Sequence, residues 1–237
     1  MRPDGRRNDQ IRPMSFQVGF VESAAGSCLV SCGRTKVICT ASVEESVPQW
    51  MRGKGTGWVT AEYAMLPAST GRRKARDGRK NGTDGRTVEI QRLVGRALRP
   101  AVDMALLGER TLHLDCDVVV ADGGTRTTAI NGAFLALRMA CDGLMAGGAM
   151  TRDPIRHEVA AVSVAVVDGK LLLDPCYEED ARAAADINFV MTRDGDLIEV
   201  QGTGEARPFS QAELDEALEL ARKGVLEVCR ARERSRS

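Results

Sequence analysis

Short runs with partial apolar alternation dominate the first third of the chain. Ser15–Val21 and Gly26–Cys32, separated by Glu22–Ala25, predict a β-hairpin. Lys36–Val47 carries Val37, Ile38, Thr40, Val43 and Val47, β-branched residues that suit a pleated, half-buried surface. Trp58–Met65 predicts another strand after a connection containing Gly53, Gly55 and Gly57. The period then changes. Ile90, Leu93, Val94, Ala97, Leu98, Ala101 and Val102 recur at three- and four-residue spacings, one face of a helix. Arg92, Arg96 and Arg99 fall on its other side, and Pro100 should kink or end it.

Thr111–Ala121 reads as a strand buried on at least one face, and Ile130, Phe134, Leu137, Cys141 and Leu144 define a second amphipathic helix. Glu158–Val167 and Lys170–Leu173 flank Asp168-Gly169, a strong hairpin turn. Asp186–Thr192 and Leu197–Val200 flank a second turn near Asp194-Gly195. From Ser210 to Arg232 the pattern is helical, with Ser210 as N-cap and Glu213 completing a capping box. The order β-rich, α, β, α, β-rich, α with antiparallel hairpins predicts an α+β fold rather than a doubly wound sheet. No internal repeat or linker breaks the 237 residues, which read as a single domain.

Composition narrows the class. With 43% hydrophobic and 28% charged residues the chain is ordinary globular material, not a disordered or fibrous one. No run approaches the ~20 apolar residues that span a bilayer. The start, with Arg2, Asp4, Arg6, Arg7 and Asp9, lacks the apolar stretch of a signal peptide. The expectation is a soluble, cytoplasmic protein with no membrane partner. Seven cysteines, mostly inside apolar runs and never in a C-x-x-C pair, with only His113 and His157 beside them, point to buried reduced thiols.

Charge is more informative, because a net charge of zero conceals two blocks. Between Arg72 and Arg99 ten basic residues face only Asp77, Asp84 and Glu89. Between Asp174 and Glu199 eight acids face only Arg182 and Arg193. This pairing suits a polyanion held near a cation or proton-transfer site, while two solvated faces are the plain alternative.

Three segments can carry chemistry. In Ala121-Asp122-Gly123-Gly124-Thr125-Arg126-Thr127 a strand ends, two glycines allow close backbone approach, and a helix begins. Free first-turn amides favour an anion there, with Thr125 adding a hydroxyl and Arg126 a two-pronged contact. An ordinary helix cap is the competing reading, and the Gly-Lys-Ser/Thr of a nucleotide loop is missing. In Asp84-Gly85-Arg86-Thr87-Val88-Glu89, Arg86 sits where a loop enters a helix and is aimed at the same anion or merely exposed. In Tyr177 to Asp186, Asp180 and Asp186 flank an alanine-rich turn. Such a pair holds a divalent ion or shuttles a proton, unless it is only a solvated acidic loop. Together these are the parts of phosphoryl transfer: charge neutralisation, positioning, and protonation of a leaving oxygen. The basic loop at 72–80 would hold further phosphates, which makes the substrate a nucleic acid.

At these residues the chain resembles the ribonuclease PH family of phosphorolytic 3′-to-5′ exoribonucleases, which trim transfer RNA precursors. The likeness runs through Arg2-Pro3-Asp4-Gly5-Arg6, Glu62-Tyr63-Ala64-Met65-Leu66-Pro67, Gly85-Arg86-Thr87 and Glu89-Ile90-Gln91-Arg92-Leu93. It continues through Gly95-Arg96-Ala97-Leu98-Arg99, Leu114-Asp115-Cys116-Asp117-Val118 and the 121–127 stretch. It closes on Glu179-Asp180, Asp186 and Glu199-Val200-Gln201-Gly202-Thr203.

The resemblance implies a fold of the ribosomal protein S5 domain 2 type, with mixed sheets around central helices, and a homohexameric ring built as a trimer of dimers. It implies phosphate binding by Arg86, Gly124, Thr125 and Arg126, and catalytic, magnesium-associated carboxylates at Asp180 and Asp186. It implies RNA contacts at Arg73 and Arg76. Ala68 stands where the family has another arginine, a gap that Arg72 next door can fill; Pro100 and Asn131 also depart from the pattern, at packing positions. The implied reaction attacks the last phosphodiester of an RNA 3′ end with inorganic phosphate, releases a nucleoside diphosphate, and runs backward when diphosphates are abundant. Two alternatives compete: a scaffold subunit that has lost its chemistry, disfavoured because both arginines and both aspartates are present, and a hydrolytic nuclease, which needs a denser carboxylate cluster.

Overall fold

In the register of the second and third strands, Cys28 faces Cys39 and Val30 faces Val37, so one apolar row forms on one face of the sheet. That row lies against a helix so closely that a Cβ on Gly132 would meet Val30 and Cys39 at 2.6 and 2.7 Å, which is why glycine occupies the helix there. The computed structural model describes residues 2–76 and 84–236. Asp77, Arg79 and Lys80 of the basic block lie outside the described residues.

The first sheet contains β1 (Met14–Val18), β2 (Gly26–Cys32), β3 (Thr35–Glu44), β4 (Trp58–Met65) and β5 (Thr111–Val120), in the order β1-β2-β3-β5-β4. The second contains β6 (Val159–Val167), β7 (Lys170–Leu173), β8 (Ala185–Thr192) and β9 (Leu197–Gly204), in the order β7-β6-β8-β9. The helices are α1 (Gly85–Leu98), α2 (Met104–Leu107), α3 (Thr125–Ala146), α4 (Tyr177–Asp180) and α5 (Gln211–Arg236). Every neighbouring pair of strands is antiparallel except β4 and β5. Their parallel pairing needs a long crossover, which the segment carrying α1 and α2 provides.

α3 is the centre of the molecule. It packs on β2 and β3 of one sheet and on β6 of the other, and one apolar cluster runs through both layers. By length and composition α3 is apolar enough to cross a membrane, although no uninterrupted apolar run marks it in the sequence; 61% of its most apolar window is buried inside the protein. Asn131 locks it to the second sheet: its Nδ2 donates to the Ala161 carbonyl and its Oδ1 accepts from the Ala161 N–H, both at 2.8 Å. That fits the packing role expected at this position.

Two expectations change. Arg99 does not point away from the sheet; half-buried, its guanidinium lies 4.1 Å from the Trp58 ring centroid and its Nε donates to the Val59 carbonyl at 2.9 Å. The helix end predicted at Arg232 also moves. α5 runs on to Arg236, and Arg232 continues the buried stripe of Ala217, Ala221, Val225 and Val228. Its guanidinium stacks over Phe134 and donates to the Val159 carbonyl at 2.6 Å. The capping box of α5 is present, with Ser210 N–H bound to Glu213 and the Glu213 N–H to Ser210. All seven cysteines are free and buried.

Candidate active site

β5 ends at Val120 and α3 starts at Thr125, so the chain must turn within four residues. Gly123 and Gly124 do this at φ +78 and +63, in the left-handed region that glycine enters without steric cost. Gly124 is the N-cap and supplies no side-chain acceptor, so the first-turn amides of α3 are free for another partner. Asp84 caps α1 and leaves Arg86 in its first turn; among the described residues no carboxylate pairs with Arg86. Asp180 is the last residue of the single-turn α4, and Asp186 is the second of β8.

These elements converge on one cavity of about 250 Å³ whose wall includes Arg86, Gly124, Thr125, Arg126, Asp180 and Asp186. The three sequence segments, at 84–89, 121–127 and 177–186, are thereby brought together. A second cavity of about 770 Å³ shares Arg86, Gly124, Thr125 and Asp180, and adds Arg72, Met65 and the exposed Tyr177. Arg73 and Arg76 are exposed and line neither of these two cavities.

Sequence reasoning missed three polar wall residues: Ser163, Asn188 and Glu205. The signal for two of them was strand geometry. Asn188 lies two residues after Asp186 and so shares its face, and Ser163 is its cross-strand partner on β6. Ser163 Oγ donates to Asn188 Oδ1 at 2.8 Å, and Asn188 Nδ2 donates to Asp186 Oδ2 at 2.9 Å. The Thr125 hydroxyl accepts a 2.9 Å bond from the buried Tyr63, which leaves its own O–H able to donate. Arg126 is steadied by Glu89 and Gln201, each at 3.5 Å.

The electrostatics are those of a site built to share a cation or a proton. Burial raises the Asp180 carboxyl above its ordinary value, while Arg86 and Arg126 pull it down. Burial, then the neighbouring Asp180, pushes Asp186 from 3.8 to about 6, against the Asn188 bond and Arg126. Asp186 Oδ1 is buried with no protein partner. Because the folded protein holds this proton more tightly than the unfolded chain, the contribution of Asp186 to stability falls as pH rises from about 4 to about 6 and is level above that. Asp186→Asn should remove that slope and stabilise the ligand-free protein at pH 7.5 by roughly 2 kcal/mol. Thermal melts of both proteins from pH 4.5 to 7.5 check this; parallel curves refute it.

The fold and this junction define a class. The chain belongs to the 3′ exoribonuclease family, whose domain 1 profile matches residues 10–141 and whose domain 2 profile matches residues 157–224. Within that family it is 51% identical over 231 residues to Ribonuclease PH of Maricaulis maris, covering 98% of this chain and 97% of that protein. It is also 51% identical over 228 residues to Ribonuclease PH of Synechococcus elongatus, covering 96% and 95%. A chain of the Archaeoglobus fulgidus exosome with RNA bound to the active site has the same fold, at TM-score 0.81 and 21% identity over 97% of this chain and 91% of that one. A chain of an archaeal exosome core gives 0.75 at 21% identity over 99% and 90%. The architecture is the α+β, ribosomal protein S5 domain 2 type implied by the sequence resemblance.

Proposed function

We propose that this chain is a phosphate-dependent 3′-to-5′ exoribonuclease, a tRNA nucleotidyltransferase, that shortens RNA from its 3′ end with inorganic phosphate as co-substrate. The observation that carries the site assignment is the single cavity joining Arg86, the α3 start and the two aspartates. Phosphate lies against the first-turn amides of α3 between Arg86 and Arg126, whose charges lower the repulsion between two anionic reactants. Its oxygen attacks the last phosphodiester in line, the bond to the 3′ oxygen of the shortened RNA breaks, and a nucleoside diphosphate leaves. The larger neighbouring cavity receives the terminal nucleotide, and Arg72, Arg73 and Arg76 grip the backbone upstream.

The residues present fit magnesium. A buried carboxylate oxygen of Asp186 with no partner, beside a second carboxylate, matches an ion that takes one or two carboxylates and fills its shell with water and phosphate oxygens. Asp180 and Asp186 would hold it, and when bound it neutralises charge on the scissile phosphate. The raised Asp186 also suits delivery of a proton to the departing 3′ oxygen. For assembly we propose the homohexameric ring, supported by β9, an edge strand of its sheet that exposes Leu197 and Val200. Native mass spectrometry should find six times the 25.6 kDa chain mass.

The direct test is a 3′-hydroxyl oligoribonucleotide with magnesium, with and without phosphate. Nucleoside diphosphates should form only when phosphate is present; monophosphates released without it establish hydrolysis instead. Arg126→Ala should raise the KM for phosphate tenfold or more and leave RNA affinity within about twofold, since one charge-assisted contact is worth roughly 1.5–3 kcal/mol. Equal loss of both overturns the assignment of Arg126.

A further inference from the structure

Two buried arginines of the N-terminal segment bond to the segments that carry the site, yet neither lines the 250 Å³ cavity. Arg12 donates from Nη1 to the Asp122 carbonyl at 2.5 Å and from Nη2 to the Gly123 carbonyl at 3.3 Å. The same side chain clasps Asp174 through Nε at 2.9 Å and Nη2 at 2.6 Å. Asp174 sits at φ +50, a conformation disfavoured for a non-glycine residue, and this clasp secures it. The glycine turn in front of α3 is thus held from behind by the Arg12 guanidinium together with the Thr35 hydroxyl, which donates to the Gly123 carbonyl at 2.7 Å and accepts from the Asp122 N–H at 2.9 Å.

Arg2 serves the other half. Its Nε and Nη2 make a two-pronged contact with Glu179, both bonds 2.8 Å, while Nη1 and Nη2 reach the Leu173 and Asp174 carbonyls at 2.9 Å. Glu179 Oε2 also accepts from the Cys176 N–H at 3.0 Å, which starts α4. A four-residue helix has no stability of its own, so the direction of Asp180 depends on this external anchor. Arg2 lies ahead of the 10–141 stretch that the family profile matches.

We propose that Arg12 and Arg2 are positioning residues with separate duties: Arg12 sets the phosphate-binding turn, and Arg2, through Glu179, sets the Asp180 carboxylate. This rests on the phosphorolytic reading. A buried pair kept only for stability can be replaced by apolar side chains of similar size, whereas a planar fork that fixes direction cannot.

The test uses the full chain, with Arg12→Lys and Arg2→Lys assayed over a range of phosphate concentrations, together with calorimetric binding of inorganic phosphate and thermal melts. Arg12→Lys should raise the KM and the Kd for phosphate fivefold or more, with kcat changed less than threefold. Arg2→Lys should lower kcat tenfold or more and leave phosphate binding within twofold. The paired replacement Arg2→Met with Glu179→Met removes both charges together; it should melt below the parent, because the Leu173 and Asp174 carbonyls and the Cys176 N–H lose their partners, and the folded protein should stay slow. A Met pair with parental kcat, or the same loss of kcat and phosphate binding in both lysine variants, overturns the proposal. A parent protein that binds phosphate but releases no nucleoside diphosphate overturns the phosphorolytic reading instead, and the split in phosphate binding still decides the role of Arg12.

Discussion

Asp180→Asn is expected to lower turnover by roughly a thousandfold or more, about 4 kcal/mol of lost transition-state stabilisation, while RNA stays bound. The substitution keeps the shape of the side chain, so the cavity and the contacts around it stay as they are. What changes is charge. A neutral amide neither holds a divalent ion firmly nor exchanges a proton with a departing oxygen. The two arginines that now pull the Asp180 carboxyl toward ionisation would face each other across phosphate with one carboxylate fewer. Phosphate should therefore bind as tightly as before or more tightly, which separates this variant from Arg126→Ala. Rapid-quench single turnovers with excess enzyme, beside an equilibrium RNA titration, measure the two effects apart. Turnover within tenfold of the parent would place the chemistry elsewhere.

Much of this site was legible in the sequence for reasons that differ by residue. The Asp122-Gly123-Gly124 turn is readable because a strand, two glycines and a helix start can be joined in few ways. β2 begins and ends at the residues expected, and so does β4. The hairpin at Asp168-Gly169 is readable because both residues tolerate positive φ, which they adopt at 50 and 72°. α4 was not seen, because a single turn has no periodicity; its cap comes from Glu179 and its anchor from Arg2, 177 residues away. The parallel pairing of β4 with β5 was equally hidden, since strand direction leaves no trace in alternation. Arg232 sets two signals against each other. Position in the helical stripe says buried and side-chain type says exposed; position prevails because Phe134 and the Val159 carbonyl receive the guanidinium. The Asp180 and Asp186 pair was visible as residues but not as a coupled pair, because burial, the largest cause of the upward shift at Asp186, belongs to the folded site alone.

Gly123→Ala should be strongly damaging, because it combines a left-handed φ with a backbone clash, and it tests whether the two halves of the site meet as described. Its φ of +78 already disfavours any L side chain, at a cost of about 1–2 kcal/mol. The added Cβ would lie 2.8 Å from the Pro175 carbonyl oxygen and the Cys176 carbonyl carbon, and 2.9 Å from the Tyr177 nitrogen. These are backbone atoms leading into α4, so no side chain can swing aside; the Gly123-Gly124 turn must part from the segment that carries Asp180. The combined loss should exceed roughly 3 kcal/mol of stability, with phosphate binding weakened even in molecules that remain folded. Gly143→Ala is the matched comparison on α3: it has open space around the new methyl and should stabilise by about 0.5–1 kcal/mol. Chemical denaturation of the two variants, with phosphate titrated into each, separates the cases. A Gly123→Ala protein as stable as Gly143→Ala would mean that the turn and α4 do not touch, and the shared cavity between them would have to be redrawn.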